Sequence, residues 1–201
     1  MQIPQHGLDA IIATEELNQR PSRPPDHAEE AQALLALTQA LSAHPEEIFK
    51  QLSLTARKLT RAESAGVSLL NAEAGRFVWP AVDGGLANYV KAGTPSDFGP
   101  CGTVIEGRRP VLFQHPERHF DYLASITPPL EEVLLSPFFL KGEAVGTVWA
   151  VMHTAGRKFE PEDRRLLDSV ASFAGLVYGV FLDTKTLAPY MEVASQDSRG
   201  Y

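Results

Sequence analysis

The sequence predicts an α+β domain, in which N- and C-terminal helices pack on one face of an antiparallel sheet and an insert of loops and short helices covers the other. Three observations carry this prediction. Two runs with the apolar spacing of helices come first, two pairs of short β-rich runs follow, and a long apolar helix ends the pattern. Helices segregated from an antiparallel sheet are typical of this class. A sheet face covered by a long insert is a natural place for a small-molecule pocket.

The chain of 201 residues is long enough for one domain with appended segments. Residues 1–27 are largely polar and include the proline-rich "RPSRPP", so we expect a flexible leader. Its "LDAIIATEEL" could form a helical turn or two, but nothing in the sequence commits it to the core. Residues 183–201 are expected to form a flexible tail. The folded domain is therefore predicted over residues 28–182.

Start signals mark each of the three predicted helices. Asp26 followed by Glu29 has the spacing of a capping box for the first helix. Pro45 precedes two glutamates, which suits the positive end of a second helix. The terminal helix is expected to begin at Pro161, again with acidic residues in its first turn.

Four β-rich runs form two predicted hairpins. "GVSLL" and "RFVWPAV" are separated by the turn-rich "NAEAG", and "EVLLSPFFL" and "EAVGTVWAVMH" are joined by a short turn. The last of these runs is apolar on both faces, which indicates a central strand covered on both sides.

The segment between the hairpins is expected to be mostly irregular. "GGLANYVKAG" and "CGTVIEG" read as short helices and "PVLF" as a strand. "HPERHFDYLASITPP" then has no regular period, so it is expected to cross the sheet as a loop.

Composition excludes several classes of function. A net charge of −7 and a pI near 5.4 argue against nucleic acid or a membrane surface as a partner. A single cysteine excludes an intramolecular disulfide and any multi-cysteine metal site, and it fits a reducing cytoplasm. The apolar run "VASFAGLVYGVFL" is shorter than the roughly 20 residues that span a bilayer.

Four stretches in order resemble the GAF domain family, the small-molecule sensor modules of bacterial signalling proteins. These are "ESAGVSLLN", "PCGTVIEGRRPVLF", "LLSPFFLKGEAVGTVWAVMH" and "RKFEPEDRRLLDSVASFAGLVYG", and the likeness covers roughly residues 30–182. The resemblance implies a ligand between the sheet and its insert, and terminal helices that carry the signal. It does not identify the ligand or a cofactor, because function lies in the site rather than in the fold.

Cys101 raises two alternatives within this family. Some GAF-like proteins reduce free methionine sulfoxide, which requires a thiolate and a second cysteine to resolve the sulfenic acid. Others attach a linear tetrapyrrole to a cysteine, but the Gly-Pro-Cys-Gly context here differs from theirs. We therefore predict that Cys101 packs as a small apolar residue and that the protein is not an enzyme.

Cyclic nucleotides and a metal ion are further alternatives. Phe159 and Asp163 match part of the motif of cyclic-nucleotide GAF domains, but Arg164 stands where that motif has glutamate. Phe159 and Asp163 are therefore expected to fasten and cap the last helix. His115 and His119 are four residues apart, which suits a divalent ion on a helix, but no third ligand is evident, so no metal site is predicted.

Ten residues are candidates for contact with a small-molecule ligand. Some are aromatic residues that could form the walls of a pocket, and others are polar. The rest lie at the start of the short helix, where the backbone N–H groups of Gly102, Thr103 and Val104 could bind a carboxylate or phosphate of the ligand. The ten are Trp79, Phe98, Cys101, Gly102, Thr103, His119, Tyr122, Ser136, Phe138 and Trp149.

The function predicted from the sequence is a non-catalytic, cytoplasmic sensor domain that binds an unidentified small molecule. Its signal would pass to a downstream signalling protein or to a second copy, through a homodimer formed by the terminal helices. On the last helix, Val170, Phe173, Val177 and Val180 are expected to line one apolar face. The alternative is a ligand-free structural module that serves dimerisation.

Overall fold

The computed structural model describes residues 7–192 and has the predicted α+β architecture. The α-helices of this part of the chain are α1 (Thr14–Gln19), α2 (His27–Ala43), α3 (Ile48–Leu59), α4 (Pro100–Gly107) and α5 (Pro161–Asp183). The strands are β1 (Ser64–Asn71), β2 (Arg76–Gly84), β3 (Val111–Gln114), β4 (Glu132–Leu140) and β5 (Glu143–Met152). They form one antiparallel sheet in the order β2-β1-β5-β4-β3.

The central strand of the sheet is β5, as its two apolar faces predicted. It pairs with β1 on one side and with β4 on the other. Trp149 of β5 lies opposite Gly66 of β1, and a Cβ on Gly66 would come within 2.3 Å of the indole ring. The glycine therefore lets the indole lie flat across the neighbouring strand.

The two faces of the sheet bury two separate apolar cores, because side chains alternate along each strand. On β5, Val148, Ala150 and Met152 face α3 and α5, whereas Trp149 and Val151 face the insert. The insert side contains α4 and short 3₁₀ turns at Ala87–Tyr89, Pro116–Arg118 and Asp121–Ser125. We call the face that packs on α3 and α5 the helix side of the sheet, and the face under the insert the insert side.

The start of α5 follows its predicted signals. Glu160 and Asp163 form a reciprocal capping box, in which the Glu160 backbone N–H donates to Asp163 Oδ2 over 3.0 Å. Phe159, just before the cap, is completely buried in the helix-side core. Phe159 and Asp163 therefore fasten and cap the start of the helix, as predicted.

Residues 8–23, here called the N-terminal strap, pack on the domain, in contrast to the leader predicted from their polar composition. The Ala13 N–H donates to the Leu112 carbonyl and the Gln114 N–H donates to the Ile11 carbonyl, each over 2.8 Å. The strap thus covers the free edge of β3, which would otherwise expose unpaired backbone groups. Leu17 is completely buried on the helix side.

Two arginines fasten the strap to the start of α5. Arg20 pairs with Glu132 over 2.7 Å and donates to the Phe159 carbonyl over 2.7 Å. Arg23 pairs with Glu160 and with Asp163, the latter over 2.7 Å. The strap therefore joins the edge of the sheet to the N-terminus of the last helix.

Part of the predicted tail also packs on the domain. Tyr190 stacks on Phe181 with ring centroids 5.2 Å apart and meets the edge of Phe49 at 4.9 Å. Leu187 is buried in the helix-side core. The rest of the predicted tail, residues 193–201, and the first six residues of the predicted leader lie outside the described part of the chain.

Within residues 7–192, α5 is long and apolar enough, by length and composition alone, to cross a membrane. Its buried face packs against α3, β4 and β5, which is also how the core helix of a globular domain meets this criterion. Length and hydropathy are therefore weak evidence for a membrane span here.

Candidate functional site

An apolar cavity of about 40 Å³ lies between the sheet and the insert. Its floor comes from β2, β4 and β5, and its roof from the start of α4 and the loop around the 3₁₀ turns. None of the lining residues that the structure describes is Asp, Glu, Lys, Arg or His. They are Trp79, Leu86, Thr94, Pro100, Cys101, Pro116, Leu123, Ile126, Leu130, Val133, Leu135, Trp149 and Val151.

Two indole rings form the aromatic wall of the cavity. The rings of Trp79 and Trp149 are 5.3 Å apart between centroids and tilted by 58°. Trp149 Nε1 donates to Ser68 Oγ over 2.9 Å, which fixes its ring against β1. These are the only two tryptophans in the sequence, so indole signals report on the cavity alone.

Cys101 is packed into the cavity wall in its neutral form. Its thiol donates to Ser68 Oγ and accepts from Thr147 Oγ1, both over 3.5 Å. Burial raises the pKa of the Cys101 thiol above its ordinary value, and these hydroxyl contacts oppose the rise without cancelling it. A buried neutral thiol is a poor nucleophile, because the thiolate is the reactive form.

Three buried polar atoms around the cavity have no hydrogen-bond partner among the residues described. They are Trp79 Nε1, Thr94 Oγ1 and the Tyr122 hydroxyl. Trp79 is 7% exposed and Thr94 is 3% exposed, and both side chains line the cavity. The Thr94 hydroxyl lies near the Cys101 sulfur, a weak acceptor. Because buried polar groups in folded proteins are nearly always paired, these atoms are exceptions among the buried polar groups of the domain.

Tyr122 stands at the rim of the cavity rather than in its wall. A Cβ on Gly99 would come within 2.6 Å of the Tyr122 hydroxyl, so the phenol reaches the residue just before the lining residue Pro100. Burial raises the pKa of Tyr122, with Cys101 and Asp121 contributing less. The phenol is therefore protonated and can donate a hydrogen bond.

Gly102 and Thr103 lie in the first turn of α4. The Thr103 N–H donates to the Gly99 carbonyl over 3.1 Å, within the first turn of the helix. A Cβ on Gly102 would come within 2.3 Å of the Ser96 carbonyl oxygen, so the preceding loop covers this turn. The Thr103 N–H is therefore not free for the predicted anion, whereas an anion at the remaining donors of this helix start stays a prediction.

Phe98 and His119 lie outside the cavity in an aromatic cluster on the surface of the insert. Phe98 is 42% exposed, and its ring lies 5.6 Å from His119 and 5.1 Å from Phe120. His115, the second predicted imidazole, lies between Glu117 and Glu131. Across residues 7–192 no three potential ligands of the His, Cys, Asp or Glu type are grouped to hold a metal ion.

Ser136 and Phe138 lie on the helix side of the sheet, away from the cavity. Ser136 Oγ donates to Asp168 Oδ1 of α5 over 2.5 Å, and Phe138 packs within the helix-side core. Both border a solvent-open hollow beside α5. Because they face the opposite way along β4, they cannot contact a molecule that the cavity holds.

Of the ten predicted residues, the structure brings together Trp79, Cys101 and Trp149 in the cavity wall, with Tyr122 at its rim. Ser68 and Thr94 were missed. Ser68 carried a signal, since it is a polar residue that interrupts the apolar run 65–70, at the same parity as Gly66. Thr94 carried none, because it lies in a loop after β2 whose course the sequence pattern does not define.

Sequence and structure comparisons place these features among known folds. A family model described as "GAF domain" matches residues 42–177. Among curated proteins, none matches significantly. Several solved structures share the fold, each with less than 25% sequence identity, so they bear on the fold alone.

Three of these structures illustrate the range of proteins with this fold. The GAF domain of a phosphoenolpyruvate-protein phosphotransferase from Coxiella burnetii has a TM-score of 0.68 and 17% identity, covering 81% of this chain and all of that one. Free methionine-R-sulfoxide reductase from Neisseria meningitidis, solved with its substrate, has a TM-score of 0.63 and 14% identity over 84% and 99%. The GAF-B domain of DevS from Mycobacterium smegmatis has a TM-score of 0.57 and 20% identity over 71% and 98%.

Proposed function

The chain belongs to the GAF domain family, and from that premise we propose that it is a non-catalytic cytoplasmic sensor domain that binds a small molecule in the cavity on the insert side of the sheet. Occupancy of the cavity changes the packing of the insert and of the strands beneath it. The terminal helices on the far face of these strands pass the change to a signalling partner or a second copy.

The unpaired polar atoms in the cavity wall carry this proposal. An orphaned buried hydrogen-bonding group costs about 1–3 kcal/mol, so a fold retains it where a ligand or an ordered water supplies the partner. Here the Trp79 indole N–H and the Thr94 hydroxyl line the same apolar space. That combination, an apolar pocket with a few polar groups directed into it, is typical of small-molecule sites.

The environment of Cys101 supports a non-catalytic role. The methionine-R-sulfoxide reductases that share the fold use chemistry requiring a reactive thiolate and a thiol to resolve the sulfenic acid. This sequence has one cysteine, and burial raises the pKa of its thiol. We expect no turnover of free methionine sulfoxide with dithiothreitol as reductant. Turnover that Cys101→Ala abolishes would contradict the proposal.

Exposed apolar residues on the terminal helices support the proposed homodimer. Leu35 on α2 is 58% exposed and Leu176 on α5 is 57% exposed, and the two helices contact each other. The face predicted from the sequence differs, because Val170 and Val177 are buried in the domain's own core. We expect a dimer mass in light scattering at micromolar concentration and a monomer for Leu176→Glu. A monomeric parent protein would exclude this assembly.

Ligand binding is tested by thermal unfolding and indole fluorescence with a panel of cyclic nucleotides, amino acids, 2-oxo acids and neutral aromatic compounds. A ligand at 100 times its dissociation constant adds about 2.7 kcal/mol of stability. That increment raises the unfolding midpoint of a domain of this size by about 5–10 °C. A true cavity ligand also changes the fluorescence of Trp79 and Trp149, and its effect is reduced in Thr94→Val.

The second candidate function is a ligand-free module for dimerisation. The small size of the cavity, about 40 Å³, favours it, because side chains already fill most of the space between sheet and insert. If the chain is such a module, no panel compound should stabilise the protein. The parent protein should still be a dimer, and Leu176→Glu should still be a monomer.

A further inference from the structure

We infer that the molecule held in the cavity is small, uncharged and largely apolar, and carries one hydrogen-bond acceptor that the Trp79 indole N–H engages. The inference rests on the proposed sensor function, because it specifies the ligand class of the same cavity. It follows from three properties of the cavity: its lack of charge, its unpaired donors and its size.

The absence of charge in the cavity wall excludes an ionised ligand. Among the described lining residues the only titratable group is Cys101, which burial keeps neutral. His153 lies near this end of the sheet, but both its ring nitrogens are engaged, by Ser64 Oγ and by the Pro129 carbonyl, each over 2.7 Å. A carboxylate, phosphate or ammonium moved into such a space loses its hydration without gaining a counter-charge, which costs several kcal/mol.

The unpaired donors define what the ligand must offer. An indole N–H can only donate, so the complement of Trp79 Nε1 is an acceptor such as a carbonyl or ether oxygen. The second tryptophan provides an internal contrast. Trp149 Nε1 already donates to Ser68 Oγ over 2.9 Å, so it does not need an acceptor from a ligand. The Thr94 hydroxyl can donate to the same acceptor or accept from a ligand hydroxyl.

The volume of the cavity limits the size of the ligand. A space of about 40 Å³ holds only a few heavy atoms, whereas a dry cavity of about 150 Å³ is known to accept benzene. A ring-sized molecule therefore requires the insert to move outward. The wall that would move includes Leu123, Ile126 and Leu130, which lie between β3 and β4 and outside the sheet. Such a displacement is the event that a sensor would report.

Four monosubstituted benzenes test the inference in calorimetric titrations. Acetophenone is neutral with a carbonyl acceptor, toluene is neutral without one, benzoate is an anion and benzamidinium is a cation. We expect acetophenone to bind about 10-fold more tightly than toluene, the equivalent of one hydrogen bond, and more tightly still than either ion.

Nitrogen-15 NMR locates the contact, because the sequence contains only two indole N–H groups. We expect the Trp79 cross-peak to shift strongly with acetophenone and weakly with toluene, while the Trp149 cross-peak changes little with either. Trp79→Phe removes the indole N–H and should abolish the preference for acetophenone over toluene. Thr94→Val provides a second variant, with an expected loss of about 3- to 10-fold for acetophenone only. Tyr178→Phe, on the helix side, is the matched control.

The outcomes separate this inference from the proposed function. If benzoate, benzamidinium or a charged member of the wider panel binds in the cavity more tightly than acetophenone, the ligand class is wrong but the sensor function stands. If acetophenone binds with no change at the Trp79 indole, the assigned acceptor contact is wrong. If no neutral or charged compound of either set binds, both the ligand class and the sensor function are overturned.

Discussion

Replacing Arg20 with methionine should destabilise the fold far more than removal of a surface charge would. Arg20 belongs to the N-terminal strap, yet its guanidinium makes a two-pronged ion pair with Glu132, at 2.7 and 3.0 Å, and donates to the Phe159 carbonyl. The Glu132 side chain is only 4% exposed. Arg20→Met keeps most of the apolar stem and leaves the Glu132 carboxylate buried without its counter-charge.

The size of the loss in unfolding free energy depends on the hydrogen bonds that Glu132 keeps in Arg20→Met. Removing one partner of a buried ion pair costs about 3–5 kcal/mol when the remaining charge has no other support. Here the Phe159 N–H still donates to Glu132 over 2.9 Å, and Gln114 Nε2 donates over 3.1 Å. These two donors partly stabilise the remaining carboxylate, so we expect a loss of about 2–4 kcal/mol in the free energy of unfolding.

Urea unfolding followed by circular dichroism measures this loss, with two companion variants. Lys158→Met breaks an exposed pair with Glu16, in which both side chains are half exposed, and should cost at most about 0.5 kcal/mol. Adding Glu132→Gln to Arg20→Met removes the uncompensated charge and keeps the acceptor for Phe159. The double variant should therefore be more stable than Arg20→Met alone by about 1 kcal/mol or more.

If Arg20→Met costs no more than Lys158→Met, the buried pair with Glu132 contributes no more than an exposed pair, contrary to this prediction. If Glu132→Gln lowers the stability of Arg20→Met further, the uncompensated charge is not the source of the loss.

Three further predictions concern the cavity and the pH dependence of stability. Thr94→Val should raise the unfolding free energy of the ligand-free protein by up to about 1 kcal/mol, since it removes a buried hydroxyl whose contact with the Cys101 sulfur is weak; a loss in urea unfolding would show that the hydroxyl is well paired. Cys101 should react with Ellman's reagent at least about 100-fold more slowly in the native protein than in urea, and equal rates would contradict its burial. Arg165, with smaller help from Ser169, holds the pKa of Glu30 at about 2, below its ordinary value of 4.5, so Glu30 adds stability above about pH 5 that is lost as the pH falls toward 2. The deficit of Glu30→Gln in unfolding free energy should accordingly be largest at neutral pH and shrink on acidification; a deficit independent of pH would contradict the ion pair.

Local patterns made most of the fold predictable. The turn of the second hairpin, the apolar alternation of β5 and the capping box at Glu160 and Asp163 are each determined by residues close together in the sequence. The strap was not predictable in this way. Its buried residues, such as Ile11 and Leu17, are scattered among polar neighbours, and their partners lie about a hundred positions further along the chain.

The candidate site was predictable in part for a related reason. Trp79 and Trp149 are large aromatic residues on predicted strands, and Cys101 is the one thiol of the sequence, so all three could be chosen as candidates from the sequence. Ser136 and Phe138 were assigned to the same pocket, although their parity along β4 turns them toward the helices. Alternation shows which residues share a face of a strand, but it does not show which face lies under the insert.

The N-terminal strap also has a practical consequence for anyone who expresses this domain. The stretch that matches the GAF family begins at residue 42, inside α2, and ends before the Phe181–Tyr190 stack. A recombinant fragment trimmed to that stretch would leave the edge of β3 open to pair with other chains, and would bury Glu132 without its arginine. Soluble, well-behaved protein should therefore require the N-terminal strap and the chain through Tyr190, and the shorter fragment should aggregate.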